Sequence, residues 1–480
     1  ELGVGPEMTV CTFHSLCARL LRRFGERAGI ATNFSIFDQA DRVSAIKTAI
    51  AMAGLREDNF SQAKTEHKIS RYKNAMVGPD EAEAKAEGFD QRAVARIYKM
   101  YEAVLAEQCA LDFDDLLLRM ARLLGDDSNL REQLENQYRY VLVDEYQDTN
   151  HAQYLIARGL ALKNHNLCVT GDPDQSIYGW RGANLGNILD FEEDFPEAKV
   201  VRLEQNYRST QHILAAADRV ISRNRKRKHK KLWTENAEGN RVRVAEHEDA
   251  GAEADWIAGE LSRLAEAGVS YQQSAVFYRI NALTRRLEQS LRTKNVPYRI
   301  IRGVEFYNRK EIKDVIAYLR VLINPADEVS LVRIINTPPR GIGATTVERL
   351  EGQVRETGLP MSHWVQHAEE VPDIPRATLP KLNKFAKMIE MLRPVIHGSA
   401  RDAVENVLKL SGYAEALRKE KEEDHEGTST ENVNELITAA AEFDEMHPDG
   451  TLIEWIQQVS LTSDQDAYDP SVGAVTLMTL

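Results

Sequence analysis

Two apolar runs in the middle of the chain end in acids: Val141-Leu142-Val143 delivers Asp144 and Glu145, and Leu167-Cys168-Val169-Thr170 delivers Gly171-Asp172. Each run reads as a buried parallel strand, and ligands of open α/β sheets bind at the carboxyl ends of such strands. On a nucleoside triphosphate, such an acid pair divides the work. The first carboxylate holds Mg²⁺, and the second orients or deprotonates the attacking water. One strand ending in Asp-Glu would read rather as a strand closing at a solvated turn; a second strand of the same design nearby changes that reading.

The loop after the second strand adds Gln175, a neutral donor suited to sensing a terminal phosphate. Tyr178-Gly179-Trp180-Arg181 follows, an aromatic and basic cluster suited to stacking a base and pairing a phosphate. A phosphate sensor and a base-stacking platform on one loop suit a motor that moves along nucleic acid as it hydrolyses nucleotide. Further on, Gln205-Asn206-Tyr207-Arg208-Ser209 offers Arg208 as an arginine finger for the γ-phosphate and Tyr207 as a flat face for adenine. An isolated Asn-Tyr-Arg would be a helix start with a surface arginine.

Taken in order, VDEYQDTN at 143–150, GDPDQSIYGWRGA at 171–183 and QNYRS at 205–209 resemble motifs II, III and IV of superfamily-1A DNA helicases of the UvrD/PcrA/Rep family. Thr12-Phe13-His14-Ser15 resembles motif Ib, and the segment 111–117 resembles the return to the first motor domain. Asn336 to Gly343 resembles a loop of subdomain 2B, and Val475 to Leu480 the opening of motif V. Pro173 stands where many relatives have Asp, and Tyr146 where Phe is common.

The resemblance implies an α/β protein: two RecA-like parallel-sheet motor domains, both incomplete here, with two mainly helical inserted subdomains. Domain 1A would take 1–36 and 112–209, with helical 1B at 37–111. Domain 2A would take 210–323 and 472–480, with helical 2B at 324–471. The implied activity is an ATP-dependent 3′-5′ DNA helicase using ATP and Mg²⁺ on single-stranded DNA and single-strand/duplex junctions, in repair or replication, in the cytoplasm on the bacterial nucleoid. Asp144 would hold the metal, and Thr12, Phe13, His14, Tyr178, Trp180, Arg181, Arg279 and Asn281 would meet DNA. Gly341, Gly343 and Thr345 would meet duplex phosphate, because a glycine turn leading into a helix can face N–H groups to an anion; a plain structural turn is the other reading. His14 alone would read as a core or capping residue.

No GxxxxGK[ST] phosphate loop occurs in the 480 residues, and motif VI is not found. The expectation is an internal piece of a longer helicase, inactive by itself. A DNA-binding subunit without motor activity is the alternative.

Composition agrees with a folded protein of several domains: 43% apolar and 28% charged residues, with no apolar stretch of bilayer length. The net charge of −13 does not exclude DNA, which responds to local potential within about 8–10 Å. Acid gathers at 81–87, 246–253 and 420–426, whereas the densest basic run is 223–231, a solvated connector or a DNA contact. Cys11, Cys17, Cys109 and Cys168 lack CxxC spacing and read as reduced core thiols.

Periodicity predicts an amphipathic helix to Phe24 with Leu16, Leu20, Leu21 and Phe24 on one face, then an insertion without strands. Strands are expected at 140–143, 167–170, 199–203, 242–245, 274–278 and 298–301. Helices are expected at 252–265, 281–294 and 311–322.

Overall fold

The computed structural model describes residues 8–179, 182–224, 227–228, 230–280, 283–301, 305–424, 428–461 and 473–479. The chain divides into two compact units, Glu1–Ala198 with Arg309–Leu461, and Lys199–Asn308 with Thr462–Leu480. Helix Lys310–Ile323, placed by sequence with the second motor domain, belongs to the first unit.

In the first unit, helix Phe13–Phe24 starts at Thr12, whose side chain accepts the Ser15 N–H. It buries Cys17, Leu20 and Leu21 against Leu116, Leu117 and Met120 of helix Phe113–Asp126 and Ile156 of helix His151–Gly159, while Leu16 and Phe24 pack at the edge. Residues 8–12, before this helix, form no strand.

The helical insertion is not strand-free. Strands β1 (Ser35–Phe37) and β2 (Ala110–Asp112) pair in parallel, Ser35 opposite Ala110 and Phe37 opposite Asp112. They tie its two ends into a neck. Three residues each, about 75 positions apart, leave no periodic signature to read. Beyond the neck, helices Gln39–Met52 and Phe89–Glu107 enclose a core of Phe37, Ile46, Ile50, Ile97, Tyr98 and Tyr101. Reciprocal capping boxes, Asp38 with Asp41 and Asp112 with Asp115, start the helices on either side of this neck.

Strands β3 (Val141–Val143) and β4 (Leu167–Val169) also pair in parallel, Val141 opposite Leu167 and Val143 opposite Val169. Tyr146 is buried behind them, edge-on to Phe191. The remainder of the unit, 309–461, is helical among its described residues.

The second unit holds a parallel sheet in which β5 (Ala275–Tyr278) and β6 (Tyr298–Ile301) flank β7 (Val475–Thr479). Helices Ala250–Glu266 and Thr284–Thr293 cover it, and Ala258, Leu261, Leu287, Leu291, Val475 and Leu477 make the core. The expected strands at 199–203 and 242–245 do not form. Neither segment pairs with a described strand, and Val201, Leu203 and Val244 remain exposed. Without a ladder their N–H and C=O groups are left to solvent, and alternation alone does not make a strand.

Only Cys17 behaves as a core thiol. Cys11 and Cys168 are exposed, and Cys109 sits half-buried in a left-handed turn, φ 46°. All four are free, and burial pushes the Cys17 thiol far up.

Candidate nucleotide and nucleic-acid site

The register of β3 and β4 brings the two acid-bearing loops to one sheet edge. Thr170 N–H donates to the Val143 carbonyl at 2.8 Å, and Tyr146 N–H to the Thr170 carbonyl at 2.9 Å, so the chains separate only after Asp144 and Gly171. Glu145 lies in the left-handed region, φ 50°, with its N–H on Asp144 Oδ1 at 3.0 Å. This turn holds both carboxylates exposed beyond the strand while Tyr146 and Gln147 turn inward.

On the opposite loop, Asp172 shapes the Pro173–Gln175 turn. Its Oδ1 accepts the Asp174 N–H at 2.9 Å, and its Oδ2 accepts Gln175 Nε2 at 2.8 Å. Asp144, Glu145 and Gln175 thus share one edge. Burial, and then the Glu145 carboxylate, push the Asp148 carboxyl above its ordinary value.

Read from sequence, Gln147 has no assigned role and Asp172 only that of the acid ending the second strand. Gln147 is buried and joins the two loops through its amide: Nε2 donates to Glu145 Oε2 at 2.7 Å, and Oε1 accepts the Asp172 N–H at 3.0 Å. Its position two residues after Glu145 was a signal, but its inward rotamer was not.

The loop returns through Tyr178, which is half-buried and whose carbonyl accepts the Ala183 N–H at 3.3 Å. Asn184 N–H then donates to the Thr149 carbonyl at 2.9 Å, and Asn187 Nδ2 to Thr149 Oγ1 at 3.0 Å, locking the end of one motif to the end of the other. Trp180, Arg181 and Asn281 lie outside the described residues.

Of the first DNA-binding triplet, Thr12 caps its helix, Phe13 packs into the core, and His14 lies edge-on to Phe113. Burial lowers the His14 pKa to about 4, so its ring is neutral near pH 7 and brings no charge to a phosphate.

Tyr207 and Arg208 belong to the second unit, both exposed. Their turn is held by Asn206 Oδ1, which accepts the Arg208 and Ser209 N–H groups at 3.1 and 2.8 Å. Asn236 Nδ2 fastens it again at the carbonyls of Tyr207 and Ser209. Arg279 is exposed at the carboxyl end of β5.

In the helical block, Gly341 is left-handed, φ 71°, and accepts Lys381 Nζ at 3.0 Å through its carbonyl. Asn336 Oδ1 takes the N–H groups of Arg340 and Ile342. Gly343 starts helix Ala344–Thr357 without a side-chain cap, and Thr345 is exposed in its first turn. Arg340 turns inward to the carbonyls of Ile334, Thr337 and Ser411.

No group of three or more His, Cys, Asp or Glu side chains could hold a metal among the described residues. A single exposed carboxylate fits Mg²⁺, which keeps its waters and takes one or two carboxylates together with substrate phosphates.

Strand-end acids and Gln175 on the edge of a parallel sheet place the chain in the class of α/β proteins that carry their site at the carboxyl ends of strands. The comparisons narrow the class to a family. Residues 5–196 match the UvrD/REP helicase N-terminal domain, and residues 201–480 match the UvrD-like helicase C-terminal domain. The chain belongs to the UvrD/Rep helicase family. It is 39% identical over 483 residues to a Staphylococcus epidermidis protein named ATP-dependent DNA helicase PcrA, covering 99% of this chain and 66% of the relative. A Staphylococcus aureus protein of the same name is 39% identical over 472 residues, covering 98% of this chain and 64% of the relative. The chain thus spans just under two thirds of the length of these curated relatives.

Proposed function

We propose that the protein is an ATP-dependent DNA helicase and translocase, moving 3′ to 5′ on single-stranded DNA and opening duplex at junctions, in bacterial DNA repair or replication at the cytoplasmic nucleoid. The observation that carries this reading is the parallel β3–β4 register, which puts Asp144, Glu145, Asp172 and Gln175 on one edge. In this reading Asp144 holds Mg²⁺, whose charge when bound neutralises the β- and γ-phosphates. Glu145 takes a proton from the attacking water, Gln175 donates to the γ-phosphate, Arg208 pairs its developing charge, and Tyr207 stacks on adenine. The Tyr178-Trp180-Arg181 loop and Arg279 with Asn281 hold the single strand. Thr12, Phe13 and a neutral His14 flank its path, and Gly341, Gly343 and Thr345 receive duplex phosphates. The domains 1A, 1B, 2A and 2B follow the boundaries stated above, except that 199–209 goes with domain 2A and Lys310–Ile323 with the helical block.

Turnover is assigned to a longer protein that joins these residues to a phosphate loop. The 480 residues supply Asp144, Glu145, Gln175 and Arg208 but no phosphate-loop lysine, so the chain by itself is proposed to be inactive. The test is phosphate release by the longer protein with and without single-stranded DNA, together with strand separation on substrates bearing 3′ or 5′ tails. DNA-stimulated release and opening of the 3′-tailed substrate are expected. DNA binding without any hydrolysis would overturn the motor reading in favour of a DNA-binding subunit.

A further inference from the structure

Gln147 occupies the single turn Tyr146–Asp148 and is buried although Glu145, two residues earlier, is exposed. Its side-chain amide lies between the two loops of the site. Nε2 donates to Glu145 Oε2 at 2.7 Å and to Asp148 Oδ2 at 3.3 Å, and Oε1 accepts the Asp172 N–H at 3.0 Å. The orientation is fixed by chemistry: turned over, the amide would set its oxygen against two carboxylates and its NH₂ against a backbone donor.

The surroundings leave the amide little room. A Cβ at Gly171 would stand 2.6 Å from Gln147 Oε1, 2.9 Å from Ile188 Cδ1 and 3.1 Å from the Tyr146 nitrogen. Ser176 Oγ, beyond Gln175, donates to the Gln147 carbonyl at 3.3 Å, so the sensor loop is tied to both main chain and side chain of this residue. Hydrogen bonds therefore run from the Glu145 carboxylate through Gln147 to Asp172, and from the Asp172 carboxylate to Gln175.

We propose that Gln147 is the positioning residue of this site: its amide fixes the Glu145 carboxylate and the Asp172–Gln175 loop in one mutual geometry, so that water activation and γ-phosphate sensing move together. This rests on Glu145 being the base for water, as proposed above. The Gln147 amide contacts Glu145, Asp148 and Asp172, and it acts through Glu145 and Asp172.

The test uses the longer protein with Gln147→Met, which keeps the length and removes the amide, Gln147→Glu, which keeps an acceptor for Asp172 and removes the donor, and Glu145→Gln. Misplacing a reacting group by about 1 Å costs on the order of 10²-fold, and kcat for ATP hydrolysis should fall by about that factor in both Gln147 variants. The KM for ATP should stay within about threefold, since the contact is not a ground-state binding contact. The Glu145→Gln and Gln147→Met changes combined should be slower than Glu145→Gln alone by less than about threefold, because residues acting as a unit are not additive. A structural role would instead subtract the same amount in both backgrounds, and that additivity would overturn the proposal. So would wild-type kcat in the Gln147 variants, or loss of the melting transition in both while Glu145→Gln stays folded. Near wild-type turnover in Glu145→Gln alone would show that the base assignment itself had failed.

Discussion

Strands β2 and β3 are written almost alike, yet they do opposite things with their acids. Ala110-Leu111-Asp112 leads to Asp114 and Asp115, and Val141-Leu142-Val143 leads to Asp144 and Glu145. At the neck, the acids close on a fully buried Lys73, whose Nζ lies 2.9 Å from Asp112, 2.7 Å from Asp115 and 2.8 Å from Glu102. Arg42 joins from helix Gln39–Met52, reaching Asp114 at 3.2 Å, Asp112 at 3.9 Å and Glu66, and Tyr101 donates to Asp112 at 2.9 Å. At the β3 edge, neither Asp144 nor Glu145 is ion-paired among the described residues, and the neutral amide of Gln147 holds the second of them. Buried carboxylates matched by cations lock an insertion in place; those at the β3 edge stay exposed, one of them aimed by a neutral donor. Strong shifts gather at the neck, a reminder that ion-pair networks perturb protonation as strongly as catalysis requires.

The comparison is broken most directly by exchanging isosteres at the two places. In the longer protein, Glu145→Gln should lower DNA-stimulated phosphate release by about 10²–10⁴ while nucleotide and DNA binding persist, because shape is kept and basicity removed. Asp115→Asn should leave that release within about threefold, far short of a general-base effect. Equal losses would mean that the two strand ends are not functionally distinct.

Stability should show the reverse order. Lys73→Met leaves Asp112, Asp115 and Glu102 buried around an apolar side chain, and removing one partner of a buried ionic cluster costs about 3–5 kcal/mol. Chemical denaturation of the first unit should register that loss, whereas Asp144→Asn, at an exposed acid, should shift the midpoint by an amount equivalent to about 0.5 kcal/mol or less.

The same cluster predicts a pH dependence. Burial, and then the Asp112 charge, push the Asp115 carboxyl up to about 8. Between its ordinary value of 3.8 and about 8, the folded chain keeps a proton that the unfolded chain has released. The Asp115 contribution to stability therefore falls as pH rises through that window. Against the cost of burial, Lys73 and Arg42 hold Asp112 below its ordinary value, so its stabilising contribution is lost only as pH falls below about 3.8, outside the window. Asp115→Asn should flatten the fall in melting temperature between pH 5 and about 8; an unchanged slope would assign it to other groups.

These particulars mark how far the sequence could be read. The ends of β3 and β4 were legible because an apolar run, an acid and a turn are local signals, and β7 was legible from its match to motif V. The neck was not: β1 and β2 are too short to carry a period, and Lys73 looks like any helical lysine until three carboxylates surround it. Gln147 was visible as a residue but not as a bridge, since its role lies in a rotamer and in a partner loop 25 residues away. Alternation at 199–203 and 242–245 misled because a strand needs a neighbour that a single segment does not reveal.

A smaller effect concerns the aromatic loop between these extremes. Trp180→Ala should weaken single-stranded DNA binding by about 1–3 kcal/mol, the worth of one base stacked on an aromatic ring. It should also uncouple hydrolysis from strand opening. A DNA titration alongside a melting curve checks this: a drop in melting temperature with unchanged affinity would make Trp180 a packing residue.

The smallest expected effect separates the two glycines of the helical block, which sequence alone treats as a pair. Gly341 is left-handed, and a Cβ there would meet Lys381 Nζ at 2.7 Å, so Gly341→Ala strains the turn whatever binds to it. Gly343 has φ −86°, and a Cβ there would meet nothing within 4 Å, so Gly343→Ala is accommodated in the fold. Its cost to stability should be about 1 kcal/mol or less, the difference between glycine and alanine at a helix start. On the proposed duplex contact, the same Cβ would crowd a phosphate approaching the first N–H groups of helix Ala344–Thr357. Gly343→Ala should therefore weaken binding to a single-strand/duplex junction while leaving a bare single strand bound as before, whereas Gly341→Ala should lower the melting temperature as well. Equal losses on both DNA substrates for Gly343→Ala, measured by titration with each, would remove the duplex-phosphate role from this turn and leave it as a connection between helices.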